Sequence, residues 1–207
     1  MNGVATTQGA RAQQAQDTRQ RLIEAAGRLF AKRGYAESSV AAIGEAAGVS
    51  RGLVNFHFGS KEKLLWAVVE SFVGEFEREI FEPTVAGRSG VEAVRGVLEA
   101  HRRLLTERPE RARLLYRLLF EALDDRRGLA KHFGGMHARW QQRTFPWWQE
   151  AVEAGEVDPT LDHAAITSFM LSALRGIALD WLIAPETFDL DAAYAQLWRS
   201  FTRGIVP

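Results

Sequence analysis

Apolar side chains recur every three or four positions along most of the chain, and no stretch alternates apolar with polar as a strand does. Leu22, Ile23, Ala26, Leu29 and Phe30 share one face of a first helix, which Asp17 and Gln20 open as a capping box and Gly34 stops. Val40, Ile43 and Ala47 line a second, short helix with Ser39 as its N-cap. Gly48 supplies the positive φ that turns the chain, Val49 anchors the turn, and Ser50 caps a third helix running to His57. Ser60 caps a long fourth helix, with Glu62 in its first turn. Leu64, Leu65, Val68, Val69, Phe72, Phe76 and Ile80 form its apolar face, and Pro83 is expected just past its end. At 1.5 Å per residue such a helix is about 30 Å long. It is expected to run out of the N-terminal module as a rigid link.

Beyond it, 83–90 reads as a Gly-rich linker. A helix over 91–106 turns Val94, Val97, Leu98, His101, Leu104 and Leu105 inward. Pro109 fits the first position of the next helix, which carries Leu114, Leu115, Leu118 and Leu119 and breaks at 124–128. A further helix carries Met136, Trp140, Phe145, Trp147, Trp148 and Val152, is expected to kink at Pro146, and ends at Gly155. A helix over 162–182 follows, then a last one capped by Asp189 with Leu190, Tyr194, Leu197 and Phe201 on one face. The pattern predicts an all-α protein of about nine helices without internal repeats.

The second and third helices, joined by a short Gly-containing turn, fit a helix-turn-helix over about 40–58 that presents Arg51, Asn55 and His57 to DNA. Net charge is zero, which by itself argues against nucleic acid, but residues 1–63 hold nine Lys or Arg against five Asp or Glu. That excess of four is balanced by the rest of the chain, so a basic module precedes an acidic body. The chain has 207 residues, 46% of them hydrophobic and 25% charged, enough for a packed core. It has no Cys, so no disulfide framework and no thiolate nucleophile or metal ligand. Residues 1–16 are polar and lack the apolar core of a signal peptide, and no apolar run is expected to reach the ~20 residues of a membrane span. A cytoplasmic protein with a disordered tail over 1–16 is the expectation.

These residues resemble the TetR family of transcriptional regulators. Phe30, Gly34 and Tyr35 match the family's Phe-x-x-x-Gly-Tyr at the end of the first helix. Gly48, Val49 and Ser50 match its Gly-Val-Ser turn, and His57, Phe58, Lys61 and Leu64 its His-Phe-x-x-Lys-x-x-Leu. One departure stands out: Val54-Asn55 replaces the usual Leu-Tyr of the recognition helix. The resemblance implies a three-helix DNA-binding domain over 17–63 and a larger helical domain over 64–207 for effector binding and dimerisation.

Carried across position by position, it places DNA contacts at Ser39, Ser50, Arg51, Gly52, Leu53, Asn55, Phe56, His57 and Lys61. The chemistry agrees. Arg51 can fork onto guanine or reach a phosphate, Asn55 can pair with adenine, Leu53 can touch a thymine methyl, and Gly52 lets backbone approach a phosphate. The resemblance also implies a small-molecule pocket in the C-terminal domain, for which Phe72, Phe76, Tyr116, Phe120, Glu121, Trp140, Trp147, Met170, Leu174 and Trp181 are candidates. Family members dimerise through their last two helices. That points to the small-residue stripe Ala164, Ser168, Ser172 and Gly176, and to Leu190, Tyr194, Leu197 and Phe201. The implied partners are a palindromic double-stranded operator, a second copy of the chain and a hydrophobic or aromatic effector, with no cofactor and no membrane.

The rival reading is a helical ligand sensor or adaptor that does not bind DNA, for which Asn55 leaves room. Enzymatic readings have no support: no acid, base and nucleophile converge on a motif, and His132 and His137 lack the companions of a zinc set.

Overall fold

The computed structural model describes residues 3–124 and 128–205. No strand occurs among them, and ten α-helices account for most. They are α1 (Gly3–Arg33), α2 (Val40–Ala46), α3 (Arg51–Phe58), α4 (Lys61–Phe76), α5 (Glu82–Val85), α6 (Gly90–Glu107), α7 (Pro109–Glu121), α8 (Leu129–Glu153), α9 (His163–Ile183) and α10 (Leu190–Ile205). A π turn, Glu77–Phe81, joins α4 to α5 without a break, so the described helices form nine rods. The chain divides into two compact units, 1–74 and 75–207.

In the first unit, Leu22, Ile23, Ala26 and Phe30 of α1 are buried, as are Ile43 of α2, Val54 and Phe58 of α3, and Leu64, Leu65, Val68 and Val69 of α4. The division falls after Gly74 rather than after 63, because the first four turns of α4 belong to this core. Phe72 belongs here too: a Cβ added at Gly27 would lie 2.7 Å from its ring. Helix α1 reaches back to Gly3, where a disordered tail was expected. Its early turns carry Gln and Ala, which favour helix, and Gln13 bonds Asp17 one turn on at 2.9 Å.

In the second unit, α6 is the central element, in contact with α7, α8, α9 and α10. Its inward residues Val94, Val97, Leu98, Leu104 and Leu105 join Phe81, Trp148, Met170, Leu174, Leu182 and Phe201 in one core. Pro83 does not end the long helix as expected. It occupies one of the first two positions of α5, immediately after the π turn, whose wider winding relieves the clash a Pro ring makes with the preceding turn. Thr84 then donates its hydroxyl to the Ile80 carbonyl at 2.5 Å, and Arg103 donates to Thr84 at 2.9 Å. The expected linker over 83–90 therefore begins only after Val85. Gly134 and Gly135 lie inside α8, and α8 also continues through Pro146. Most of the break expected at 124–128 falls outside the described residues.

Helix α9 departs from another expectation: it is long and apolar enough to cross a membrane. Its Thr167, Met170, Leu174, Ala178 and Leu182 are buried, yet Phe169 is 58% and Ile183 72% exposed. The apolar excess therefore lies on an outward face that this chain alone leaves uncovered.

Candidate nucleic-acid interface

Local chemistry sets the geometry of α2, the turn and α3. The Ser39 hydroxyl accepts from Ala42 N–H at 3.1 Å, and the Ser50 hydroxyl from Leu53 N–H at 3.3 Å. Each cap ties down a helix start and leaves its own O–H proton to donate outward. Gly48 has φ +69°, as expected of the turn. A second glycine matters as much and was not singled out by sequence. Gly44 is buried, and its carbonyl accepts from Val49 N–H at 2.8 Å. A Cβ there would lie 2.9 Å from the Val49 carbonyl oxygen and 3.4 Å from Arg51 N, both backbone atoms. A Gly within the apolar pattern of a short helix was the available signal. Gly44→Ala is expected to destabilise the protein by about 1–3 kcal/mol, since backbone cannot step aside as a side-chain tip can. Urea denaturation measures this, and an unchanged midpoint would show that the turn yields.

Helix α3 has two faces. Val54 (2% exposed) and Phe58 (7%) anchor it in the core, with Arg19 of α1 over the Phe58 ring at 5.2 Å. Val54 thus fills the core position where Leu is usual. Arg51, Gly52, Asn55 and Phe56 recur one helical turn apart and all face outward, with Leu53 and His57 half-buried at the margins. Phe56 is 80% exposed and meets the His57 ring edge-on at 5.5 Å. Lys61 is placed differently. Its Nζ donates to the Ala36 carbonyl at 3.3 Å and lies 4.2 Å from the Tyr35 ring centre, so it pins the loop between α1 and α2 to the start of α4.

The pocket candidates divide into groups. Phe76, Trp140 and Trp147 gather on Phe81, a residue sequence reading overlooked, with ring centres 6.1, 4.8 and 6.3 Å away. Arg143 lies over the Phe81 ring itself, 4.5 Å from its centre. Tyr116 instead joins His101 and Tyr194 in a buried hydrogen-bonded cluster. Met170 and Leu174 are core, Glu121 and Trp181 are half-buried, and Phe120 is 48% exposed. Phe72 is in the first unit. Two hollows are described in the second unit, and none of these candidates lines either. One, of about 660 Å³ between α6 and α10, includes Leu98, Arg102, Tyr194 and Trp198. The other, of about 190 Å³, includes Phe145, Trp148 and His163.

The dimer candidates divide as well. Leu190, Tyr194 and Phe201 are 7%, 7% and 3% exposed, so the apolar stripe of α10 seats it on its own body, with Leu197 half-buried beside them. On α9, Ala164, Ser172 and Gly176 are exposed. Ser168 is half-buried against α8, within 3.0 Å of His137 and 3.1 Å of Gln141.

Comparison with known proteins agrees with this geometry. The family model described as bacterial regulatory proteins, tetR family, matches residues 22–68. The chain is 32% identical over 195 residues to the HTH-type transcriptional regulator AcrR of Shigella flexneri, covering 86% of this chain and 84% of that one. A TetR transcriptional regulator from Chloroflexus aurantiacus superposes with a TM-score of 0.81 at 25% identity, over 93% of this chain and 98% of that one. SmeT, solved as a triclosan complex, has the same fold, with a TM-score of 0.77 at 22% identity over 92% of each chain. The chain belongs to the tetR family of bacterial regulatory proteins and is a DNA-binding transcriptional regulator.

Proposed function

We propose that the protein acts as a homodimer that represses from a palindromic operator and is released by a small hydrophobic or aromatic effector bound in the second unit. The observation that carries this is the outward face of α3. Arg51, Gly52, Asn55 and Phe56 stand clear of the core, and an 80% exposed Phe on an ordered helix has no folding role. Ser39, Ser50 and His57 flank that face, and Leu53 borders it. One such short helix spans only a few base pairs, so a two-fold pair doubles the contacts. An effector releases DNA only as far as it binds the DNA-incompetent state better. The aromatic set around Phe81 suits a small aromatic ligand, and SmeT, of the same fold, was solved in complex with triclosan.

The uncovered face of α9 supports the pairing. Ala165, Ser172, Gly176 and Asp180 are exposed in line with Phe169 and Ile183, at steps of three and four residues. A Cβ at Gly176 would meet nothing within 4 Å, so bulk there leaves the single chain undisturbed. Gly176→Arg is expected to give a folded monomer by light scattering, with DNA affinity falling at least tenfold. A variant that stays dimeric places the interface elsewhere. The operator test is a mobility shift with the region upstream of the protein's own gene. Specific binding should weaken steeply between 50 and 200 mM salt, by about a hundredfold or more. Equal binding to unrelated DNA would sink the repressor reading.

A further inference from the structure

Two residues on the outward face of α3 work against folding. Phe56 is 80% exposed, and its ring meets that of His57 edge-on at 5.5 Å instead of entering the core. Gly52 lies one turn before it on the same exposed face. Gly52 has ordinary helical backbone, so no positive φ requires glycine there. Packing does not require it either. Apart from adjoining residues and the helix backbone, a Cβ added at Gly52 would have one neighbour within 4 Å, the Ser50 Oγ at 3.8 Å. Folding alone favours alanine at 52 and a polar residue at 56.

Together they leave a gap. Helical side chains lean toward the preceding turn, which sets the Phe56 side chain on the Gly52 side of its own Cα. Yet no atom of Phe56 comes within 4 Å of where a Gly52 Cβ would be. The space between is open, has room for a methyl group, and has bare backbone on one side and an aromatic ring on the other. In the major groove DNA offers one apolar group to such a space, the 5-methyl of thymine, and phenylalanine is among the side chains that meet it. Arg51 and Asn55 frame the gap with groups for base edges and phosphates, which an apolar protein surface would leave unanswered. An A·T pair shows the adenine N7 and N6 beside the thymine methyl. Asn55 and Phe56, adjacent on the exposed face, suit the two halves of such a pair.

We propose that Phe56 determines specificity: its ring, with the bare backbone of Gly52, receives the 5-methyl group of one thymine in each half-site of the operator. This rests on the operator reading above and adds a base preference to it.

The test starts by selecting the preferred site of the full-length protein from a randomised duplex library. Each thymine of that site is then replaced by deoxyuridine, which keeps the base pair and removes only the methyl. At one symmetry-related pair of positions the replacement is expected to weaken binding about fifteenfold, about fourfold for each methyl taken out of apolar contact. In Phe56→Ala the same replacement should weaken binding less than about twofold, the contact being already lost. Gly52→Ala, whose added methyl takes up the gap, should lose more affinity for the thymine site than for the uracil site. Circular dichroism and thermal melting check that each variant folds. If Phe56→Ala binds too weakly to measure, Phe56→Leu carries the comparison, and its uracil penalty must be smaller than that of the unaltered protein. A uracil penalty found at no thymine, or undiminished in the Phe56 variants, overturns the proposal and leaves the operator reading standing. So does an equal loss by Phe56→Ala on the selected site and on unrelated DNA, which would make Phe56 a backbone contact. A selection that enriches no sequence removes the operator reading and this proposal with it.

Discussion

Arg51→Ala is expected to abolish specific operator binding at concentrations where the unaltered protein saturates, with the fold intact. Both halves follow from the position of the side chain. Arg51 is the first residue of α3, directly after the Ser50 cap, and it is exposed. Among the described residues it makes no hydrogen bond and no ion pair, so its removal strands nothing in the protein. A forked contact from arginine to guanine contributes about 1–3 kcal/mol of discrimination. A two-fold dimer loses it twice, about 2–6 kcal/mol, or roughly thirtyfold and upward in affinity. Thermal melting should shift by no more than a degree or two, since surface changes of this kind fall within about 0.5 kcal/mol. Unchanged DNA affinity would show that α3 does not present this face to bases. A lowered melting point would show a structural role the geometry does not contain. Lys61 makes the contrast. It already holds Ala36 and Tyr35, so loss of Lys61 is expected to lower stability and DNA binding together.

The helix-turn-helix was readable from sequence because its determinants are local. A cap acts within three residues and a left-handed glycine acts at its own position, so Ser39, Gly48 and Ser50 declare the elements without help from the rest of the chain. Gly44 escaped notice because its importance is an approach of backbone across the turn, 2.9 Å from the Val49 oxygen, which no periodicity encodes. Pro83 misled for a related reason. A proline ends a helix unless the turn before it widens, and here the wide turn is supported by Thr84 and by Arg103 from a different helix.

The C-terminal sites were less readable, since an amphipathic stripe says that a face is covered but not by what. Leu190, Tyr194 and Phe201 are such a stripe, and they turn toward their own chain. The exposed line on α9 from Ala165 to Ile183 is more mixed in composition, and the small-residue stripe read from sequence caught only Ser172 and Gly176 of it. Tyr116 and Tyr194, assigned in sequence to a pocket and to a dimer interface, belong to one cluster through His101. The bond from His101 to Tyr194 spans 93 positions of sequence. Nothing at either end announces it.

That cluster carries the second large effect: stability should fall as pH drops from neutrality toward 4, in excess of what carboxylate titration alone produces. Burial first, and the Arg175 charge second, lower the His101 pKa from 6.5 to about 4. Between those values the unfolded chain binds a proton that the folded chain refuses, so stability rises with pH through the window. The contribution is fully present above 6.5, is lost as pH falls toward 4, and falls no further below the folded value. At about 1.4 kcal/mol per unit, the full loss below the folded value is about 3.5 kcal/mol. The hydrogen bonds act in the same direction. Protonated imidazole has two N–H groups and no lone pair, so the tyrosine that donates to it must turn its hydroxyl away. Both tyrosines resist ionisation because they are buried, so neither supplies a counter-charge. The Arg175 charge has the wrong sign to help and adds to the cost of protonation. Urea denaturation of the unaltered protein and of His101→Gln, at pH 7.5, 5.5 and 4.5, isolates the effect, because the carboxylates common to both cancel in the difference. The glutamine variant starts less stable at pH 7.5, and the gap should close by roughly 2–3 kcal/mol at pH 4.5. Parallel curves would mean that His101 is protonated within the folded protein at little cost, and that its environment is wetter than the cluster geometry implies.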